Sequence, residues 1–375
     1  MIELNSKSIL FVKLLLLSLI PYTLSHALSQ CKGCVPEHLL RSETYGIDIS
    51  SDYLAVAVQH VNGTLEPVTL TYPSLQYRLL MNRLLNESNI SPYGYDVELP
   101  THNSSRSRTP MTDAEVETLT QETTNIISKV ISQGRSIQYY SIAIPSFFTS
   151  TDESHLHIAL HRSHLPIPRS SMPVDFHIFH ALDTTQCPRH FEFDCRPIDY
   201  NRRTLLLVEY SDSKLSGYLY QVWNGGYVDR VAYFTDADLG NETNGAGYEA
   251  LTQRIKALIE DNEGRIVFGP INWNAVDVVV FGQLAFDSSF HQAVRDALYS
   301  FTKTPILPPT VQKDTSTDAA FMGAFGAARS AKSLIDRPAP DNCNVEDRKC
   351  TRIREKVFRD SLVAEIKDSE HSDEL

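Results

Sequence analysis

The sequence has no G-x-x-x-x-G-K-[ST] phosphate loop and no G-x-S-x-G nucleophile elbow, which removes P-loop nucleotidases and α/β-hydrolase esterases from the candidate classes. It also lacks an excess of positive charge. Its 34 Lys+Arg against 46 Asp+Glu give a formal net charge of −12, so there is no electrostatic footprint for nucleic acid or an anionic membrane surface. No tandem repeat is visible. Long apolar runs are absent as well: the one run, Ile9 to Ile20, is about 12 residues, short of the roughly 20 that span a bilayer.

What the N-terminus does have is Lys7 and Lys13 around that run, then Pro21 and the small-residue context Ser25-His26-Ala27. This is the pattern of a secretory signal peptide covering 1–27, with cleavage near Ala27. The chain ends His371-Ser372-Asp373-Glu374-Leu375, a close variant of the Lys/His-Asp-Glu-Leu address. An entry signal with a return address predicts a soluble resident of the endoplasmic reticulum lumen, met by a retrieval receptor.

Sequons at Asn62, Asn86, Asn89, Asn103 and Asn241 fit that compartment, and their clustering from Asn86 to Asn103 predicts an exposed loop. The six cysteines fall into short-range pairs, Cys31 with Cys34, Cys187 with Cys195 and Cys343 with Cys350. Local disulfides are the expected reading in an oxidising lumen. Cys31-Lys32-Gly33-Cys34 also has the C-x-x-C spacing of thiol-exchange enzymes. In those the pair opens a helix that stabilises the thiolate, whereas here it stands just after the expected cleavage point.

Hydrophobic patterning alternates strands and helices, which predicts α/β layers. Strands are expected at 45–49, 54–60, 137–144, 176–179, 204–209, 217–222, 227–234 and 276–281. Helices are expected at 113–133, 152–164, 247–260, 290–302, 317–335 and 349–367. Pro338 and Pro340 mark the start of a tail at 336–375. Along its last helix Ile353, Val357, Leu362 and Ile366 form an apolar stripe, of the kind that usually packs on its own body.

Two strand-turn-strand units carry the functional signal. Gly46-Ile47-Asp48-Ile49, the turn Ser50-Ser51-Asp52, and Leu54-Ala55-Val56-Ala57-Val58 form the first; Thr204 to Glu209 and Gly217 to Tyr220 flank the second. Together with Ser141-Ile142-Ala143-Ile144-Pro145-Ser146-Phe147-Phe148, the segment Val276 to Gln283, the glycine turn at Gly240 to Gly247 and the Ala/Gly-rich run Ala319 to Ala328, their order resembles the ATPase domain of the 70-kilodalton heat-shock chaperones. The resemblance covers most of 44–335. It implies an actin-like (ribonuclease H-like) two-lobed α/β fold, with lobe I at 44–190 and lobe II at 203–335. It also implies reduced subdomains, since about one helix and one strand fit between Gly247 and Gly282, and no room for a peptide-binding domain.

By that resemblance Gly46, Asp48, Ser50, Ser51, Glu209, Lys214 and Gly282 are the candidate nucleotide-binding residues, with Mg-ATP or Mg-ADP as ligand. Asp48 matches the aspartate that helps hold the magnesium shell, and Glu209 stands in for its counterpart. The departures are chemical. Neither turn contains glycine, so neither freely takes φ > 0; Tyr210 and Asp212 add bulk and like charge where a polyphosphate would lie. Lys214 is the one compensating cation. Phosphoryl transfer depends on positioned cations and donors, and several are gone.

Three functional readings follow: a degenerate, pseudo-ATPase module with a binding or regulatory role among lumenal folding factors or chaperones; a working chaperone ATPase; and a thiol-redox accessory using Cys31 and Cys34. A fourth pattern, His157, His161 and His164 at i, i+4 and i+7, has metal-sharing spacing but no acidic ligand at the matching offset. It reads more simply as a solvated histidine face.

Overall fold

The computed structural model describes residues 34–88, 109–181, 203–222, 228–240, 247–262, 276–302, 318–336, 350 and 352–361. The expected signal peptide and retrieval signal, with Cys31, Cys187, Cys195, Cys343, Asn89, Asn103 and Asn241, lie outside them. Two compact units emerge. One comprises Thr44–Gln59 and Leu65–Ala331; the other is drawn from Met1–Glu43, His60–Thr64 and Lys332–Leu375.

The larger unit contains two mixed sheets, so the protein is mixed α/β. The first has strands β1 (Thr44–Ile49), β2 (Leu54–Gln59), β3 (Leu65–Thr71), β4 (Tyr140–Ile144) and β5 (Ser171–Pro173) in the order β3-β2-β1-β4-β5. The second has β6 (Arg203–Tyr210), β7 (Leu215–Val222), β8 (Val228–Asp236) and β9 (Val276–Phe281) in the order β8-β7-β6-β9. Each sheet is built alike. Three antiparallel strands form a meander, and the next strand pairs parallel on the far side of the first, β4 on β1 and β9 on β6.

Period-two side-chain direction explains why these strands read as continuous apolar runs: both faces are covered. Along β6, Leu206 and Val208 point into a core with helices Tyr248–Glu260 and Ser288–Thr302, while Leu205 and Leu207 point into a second core. On the first sheet Tyr45, Ile47 and Ile49 face helices α2 (Leu75–Glu87), α3 (Asp113–Ser132) and α4 (Ser150–Arg162), where Leu80, Leu84, Leu119, Ile126 and Leu156 are buried. Capping boxes start α3 at Thr112/Glu115 and α4 at Thr149/Asp152, because in each the hydroxyl and carboxylate exchange bonds with the orphan amides of the first turn. A short first helix, α1, covers Glu37–Leu40.

The core shared by both sheets is lined by small residues on the first sheet, Ala55, Ala57 and Ala143, and by larger ones on the second, Tyr218, Tyr220 and Phe281. Two helices complete it. These are α5 (Val174–Ala181) and α8 (Met322–Ile335), where α6 and α7 denote Tyr248–Glu260 and Ser288–Thr302. Helix α8 lies at backbone distance from its neighbours. A Cβ on Gly46 would stand 1.8 Å from the Ala324 carbonyl oxygen, and one on Gly326 would stand 1.6 Å from that of His177.

One sequence expectation is corrected here. Residues 176–179 form part of α5, not a strand. Four apolar-rich residues cannot distinguish a strand from a buried helix by period alone, and here Val174 and Ile178, four apart, bury one helix face. On that helix His177 is fully buried, and its Nε2 donates to the Ile142 carbonyl at 2.9 Å. The elements β3, α2 and β5 were not anticipated, since β3 is half-buried along its length and α2 exposes Leu75 and Leu79, blurring its stripe.

Among the described residues no helix is long and apolar enough to cross a membrane. The close approach of α8 gives a direct expectation. Gly46→Ala should lower stability by about 1–3 kcal/mol or more, the usual cost of overpacking a filled core, read as a lower urea midpoint at unchanged slope. An unchanged midpoint would contradict this packing.

Candidate functional site

The two sheets present equivalent hairpins. Ile49 pairs with Leu54 across the turn 50–53, and Tyr210 pairs with Leu215 across the turn 211–214. Both turns close with the same backbone bond, Ser50 N to Tyr53 O at 3.1 Å and Ser211 N to Lys214 O at 3.0 Å. Asp48 and Glu209 each precede their turn by two residues. Tyr53 and Lys214 each end theirs. As expected from their lack of glycine, neither turn takes a positive φ; the sole non-glycine with positive φ among the described residues is His164.

The turns bond to each other. Ser51 Oγ and Ser213 Oγ lie 2.9 Å apart, and Asp52 Oδ2 accepts from Ser213 Oγ at 2.7 Å, from Ser51 Oγ at 3.1 Å and from Ser213 N at 3.4 Å. All three residues are buried. A carboxylate accepting from a neighbouring turn in this way forms charge-assisted bonds, the stronger kind.

Behind them lies a buried charge cluster. Lys214 Nζ donates to Glu209 Oε2 at 2.7 Å, with side chains 1% and 2% exposed, and stands 5.6 Å from the centre of the Phe147 ring. Asp48 is 1% exposed, and among the described residues neither of its oxygens has a hydrogen-bond partner of good geometry. Burial pushes its carboxyl well above the usual carboxylate range, and the Glu209 carboxylate adds to the rise; the Lys214 ammonium and the nearby Tyr53 hydroxyl pull the other way. The phenols of Tyr53, Tyr77 and Tyr218 are likewise raised by burial and by these carboxylates, so they remain neutral donors. Tyr77 donates to the Ser50 carbonyl at 2.8 Å, and the Tyr218 and Ser146 hydroxyls bond at 2.8 Å.

Glycines shape the cluster walls. Asp48 Oδ2 packs on Gly323, where an added Cβ would lie 2.3 Å away. Gly282 leaves β9 at φ +98°, a left-handed conformation that suits glycine, and a Cβ there would meet the Tyr210 carbonyl at 2.7 Å and Glu209 Cγ at 3.3 Å. A second buried cluster joins α5 to the second sheet. The Tyr220 hydroxyl donates to Asp175, Arg230 Nη1 lies 3.0 Å from Asp175 Oδ2, and the guanidinium stacks 4.4 Å over the Tyr233 ring.

Of the residues expected from sequence, Asp48, Ser50, Ser51, Glu209, Lys214 and Gly282 lie in or beside the two hairpin turns, while Gly46 packs on the α8 backbone at Ala324 and Ala328. Lys214 is not free to meet a ligand phosphate, being sealed on Glu209. Asp52 is legible as the acid of the first turn, whereas Ser213, Tyr53 and Gly323 are not among the sequence candidates. The available signal was spacing, since Tyr53 and Lys214 each follow their acid by five residues.

Elsewhere the expectations fare differently. Cys34 is bonded to Cys350, 316 residues away, so neither Cys31–Cys34 nor Cys343–Cys350 is the pairing. Sequence proximity favours local pairs, but folding brings the α1 segment to the C-terminal helix. Among the described residues no group of three His, Cys, Asp or Glu could hold a metal. His157 Nε2 is 3.1 Å from Ser171 Oγ, and His164 sits past the end of α4. Asn62 Oδ1 accepts from Thr64 N at 2.9 Å and Thr64 Oγ1 at 2.7 Å, and Asn86 is exposed in the last turn of α2. No protein-family model matches the chain, and no curated protein matches it.

Two outcomes test the cluster. Because the folded pKa of Asp48 is raised, the folded state binds a proton that the unfolded state releases at the ordinary value near 3.9. Its contribution is therefore lost as pH rises from about 4 through the folded pKa. Asp48→Asn, isosteric with the protonated acid, should flatten that decline and raise the melting temperature at pH 7 more than at pH 4; parallel melting curves for the two proteins would contradict it. Lys214→Met should cost about 3–5 kcal/mol by leaving Glu209 buried and unpaired, and Glu209→Gln added to it should recover most of the loss in urea unfolding.

Proposed function

We propose that the chain is a lumenal protein of the endoplasmic reticulum with the actin-like, two-lobed architecture of the heat-shock chaperone ATPase domain, in which the nucleotide site is closed. It serves as a binding or regulatory module among lumenal folding factors or chaperones. The fold assignment is supported by the repeated sheet order and by the twin hairpins, each with an acid two residues before a four-residue turn. The sequence signals at the two ends support the compartment and the retrieval receptor as a partner.

One observation carries the pseudo-ATPase reading. The two turns that would flank a polyphosphate bond instead to each other through Ser51, Asp52 and Ser213. Asp52 places a carboxylate among them, which repels an anion in a site of low polarity. The remaining cation, Lys214, is already neutralised by Glu209. The working-ATPase reading draws on Asp48 alone, a buried acid of the first hairpin. The redox reading loses its motif, because Cys34 is engaged with Cys350.

Thermal denaturation of the mature chain with Mg-ATP or Mg-ADP separates the first two. A ligand at a hundred times its dissociation constant would add about 2.7 kcal/mol. We expect no saturable shift with either nucleotide. A saturable shift that disappears in Asp48→Ala would overturn the pseudo-ATPase reading, and a lumenal pull-down lacking every folding factor would overturn the regulatory role.

A further inference from the structure

The smaller unit holds the two ends of the chain together. The C-terminal helix, α9, runs over 352–361, with Cys350 helical before it. Its buried apolar contact is small: Val357 joins Val35 and Leu40, with Leu39, Val61 and Ile353 partly buried around them. The polar ties lie at the margin. Arg41 and Asp360 pair at 2.9 Å with both side chains more than two-fifths exposed, where water screens the attraction. Arg354 donates to the Asp336 carbonyl. A further tie is covalent, Cys34 to Cys350.

Helix α1 is held differently. Lys332 Nζ, in the last turn of α8, donates to the Leu40 carbonyl at 2.8 Å and to the Ser42 carbonyl at 3.4 Å from a largely buried position. That tie does not pass through the disulfide. The segment that follows α1 therefore keeps this anchor when the disulfide opens, whereas α9 keeps the small apolar contact and the marginal polar ties. Helical stability in proteins comes mostly from packing an apolar face, and the described part of α9 buries little of one.

We propose that Cys34–Cys350 is a redox-operated clasp: a thiol reductant releases and melts α9 while the rest of the protein stays folded. This inference does not rest on the proposed function. The chemistry is thiol–disulfide exchange with a dithiol. Its thiolate attacks one sulfur to form a mixed disulfide and expel the other cysteine as thiolate, and its second thiol then displaces the first cysteine. Two protein thiols form, and the dithiol becomes a cyclic disulfide. Cys34 is partly exposed, which gives the attacking thiolate access.

Hydrogen exchange read by mass spectrometry on the mature chain, with and without dithiothreitol, tests it. Reduction, confirmed by the mass of the cysteine peptides, should speed exchange of amides in 352–361 at least tenfold and leave 37–43 and β1 unchanged. The variant Cys34→Ser/Cys350→Ser should show the fast exchange without reductant. Protection of 352–361 that survives verified reduction would overturn the clasp. So would a double variant whose α9 stays protected while reduced wild type opens, since another disulfide would then be responsible. If the double variant does not fold, wild type reduced after folding decides: loss of protection throughout the chain, rather than in α9 alone, overturns the proposal.

Discussion

Helix α8 can lie on β1 and α5 at backbone distance only because Gly46, Gly323 and Gly326 carry no side chain where it crosses, and the buried charge cluster exists inside that approach. Asp48 rests directly on Gly323. Moving the helix outward by the width of a methyl group would admit water to the carboxylate and relax the desolvation that raises its pKa. The shared core therefore sets the electrostatics as well as the packing. Small residues on the first sheet, Ala55, Ala57 and Ala143, leave room for Tyr218, Tyr220 and Phe281 from the second, so both sheets are buried on two faces.

Within that frame the two hairpins solve one problem in two ways. Each carries an acid two residues before its turn and a long side chain at the turn's end that reaches back towards it. In the second hairpin the pair is Glu209 and Lys214, carboxylate to ammonium at 2.7 Å. In the first it is Asp48 and Tyr53, where a phenol raised by burial cannot neutralise a carboxylate. The cluster holds two acids and one cation, and Asp48 bears the imbalance: burial raises its pKa most, and the repulsion of Glu209 adds to the rise. Asp52, by contrast, is surrounded by three donors from the two turns.

Most strands were legible, because Val-, Ile- and Leu-rich runs such as Thr204 to Glu209 and Val276 to Phe281 leave little else for a chain to do. Helices with capping boxes, at Thr112 and Thr149, were legible for a local reason. The failures were tertiary. Residues 176–179 read as a strand until the faces packed against them were known, and β3 and α2 hide because each buries only part of its apolar surface. At the site, the acids and the glycine-free turns could be read directly, but the bond between the turns could not: Ser51 and Ser213 are 162 residues apart, and nothing local in either marks the other. The same limit explains the cysteines, where proximity in sequence suggested local pairs and the fold joined Cys34 to Cys350.

The burial of Lys214 has a further consequence for chemical reactivity. Its amine is sealed under the second turn and bound to a carboxylate, so reagents that acylate lysines in water meet it only when the turns part. The rate at which this one amine is modified, set against that of a solvent-facing lysine, counts the openings of the hairpin pair. The molecule thus carries its own clock for the motion between its two turns.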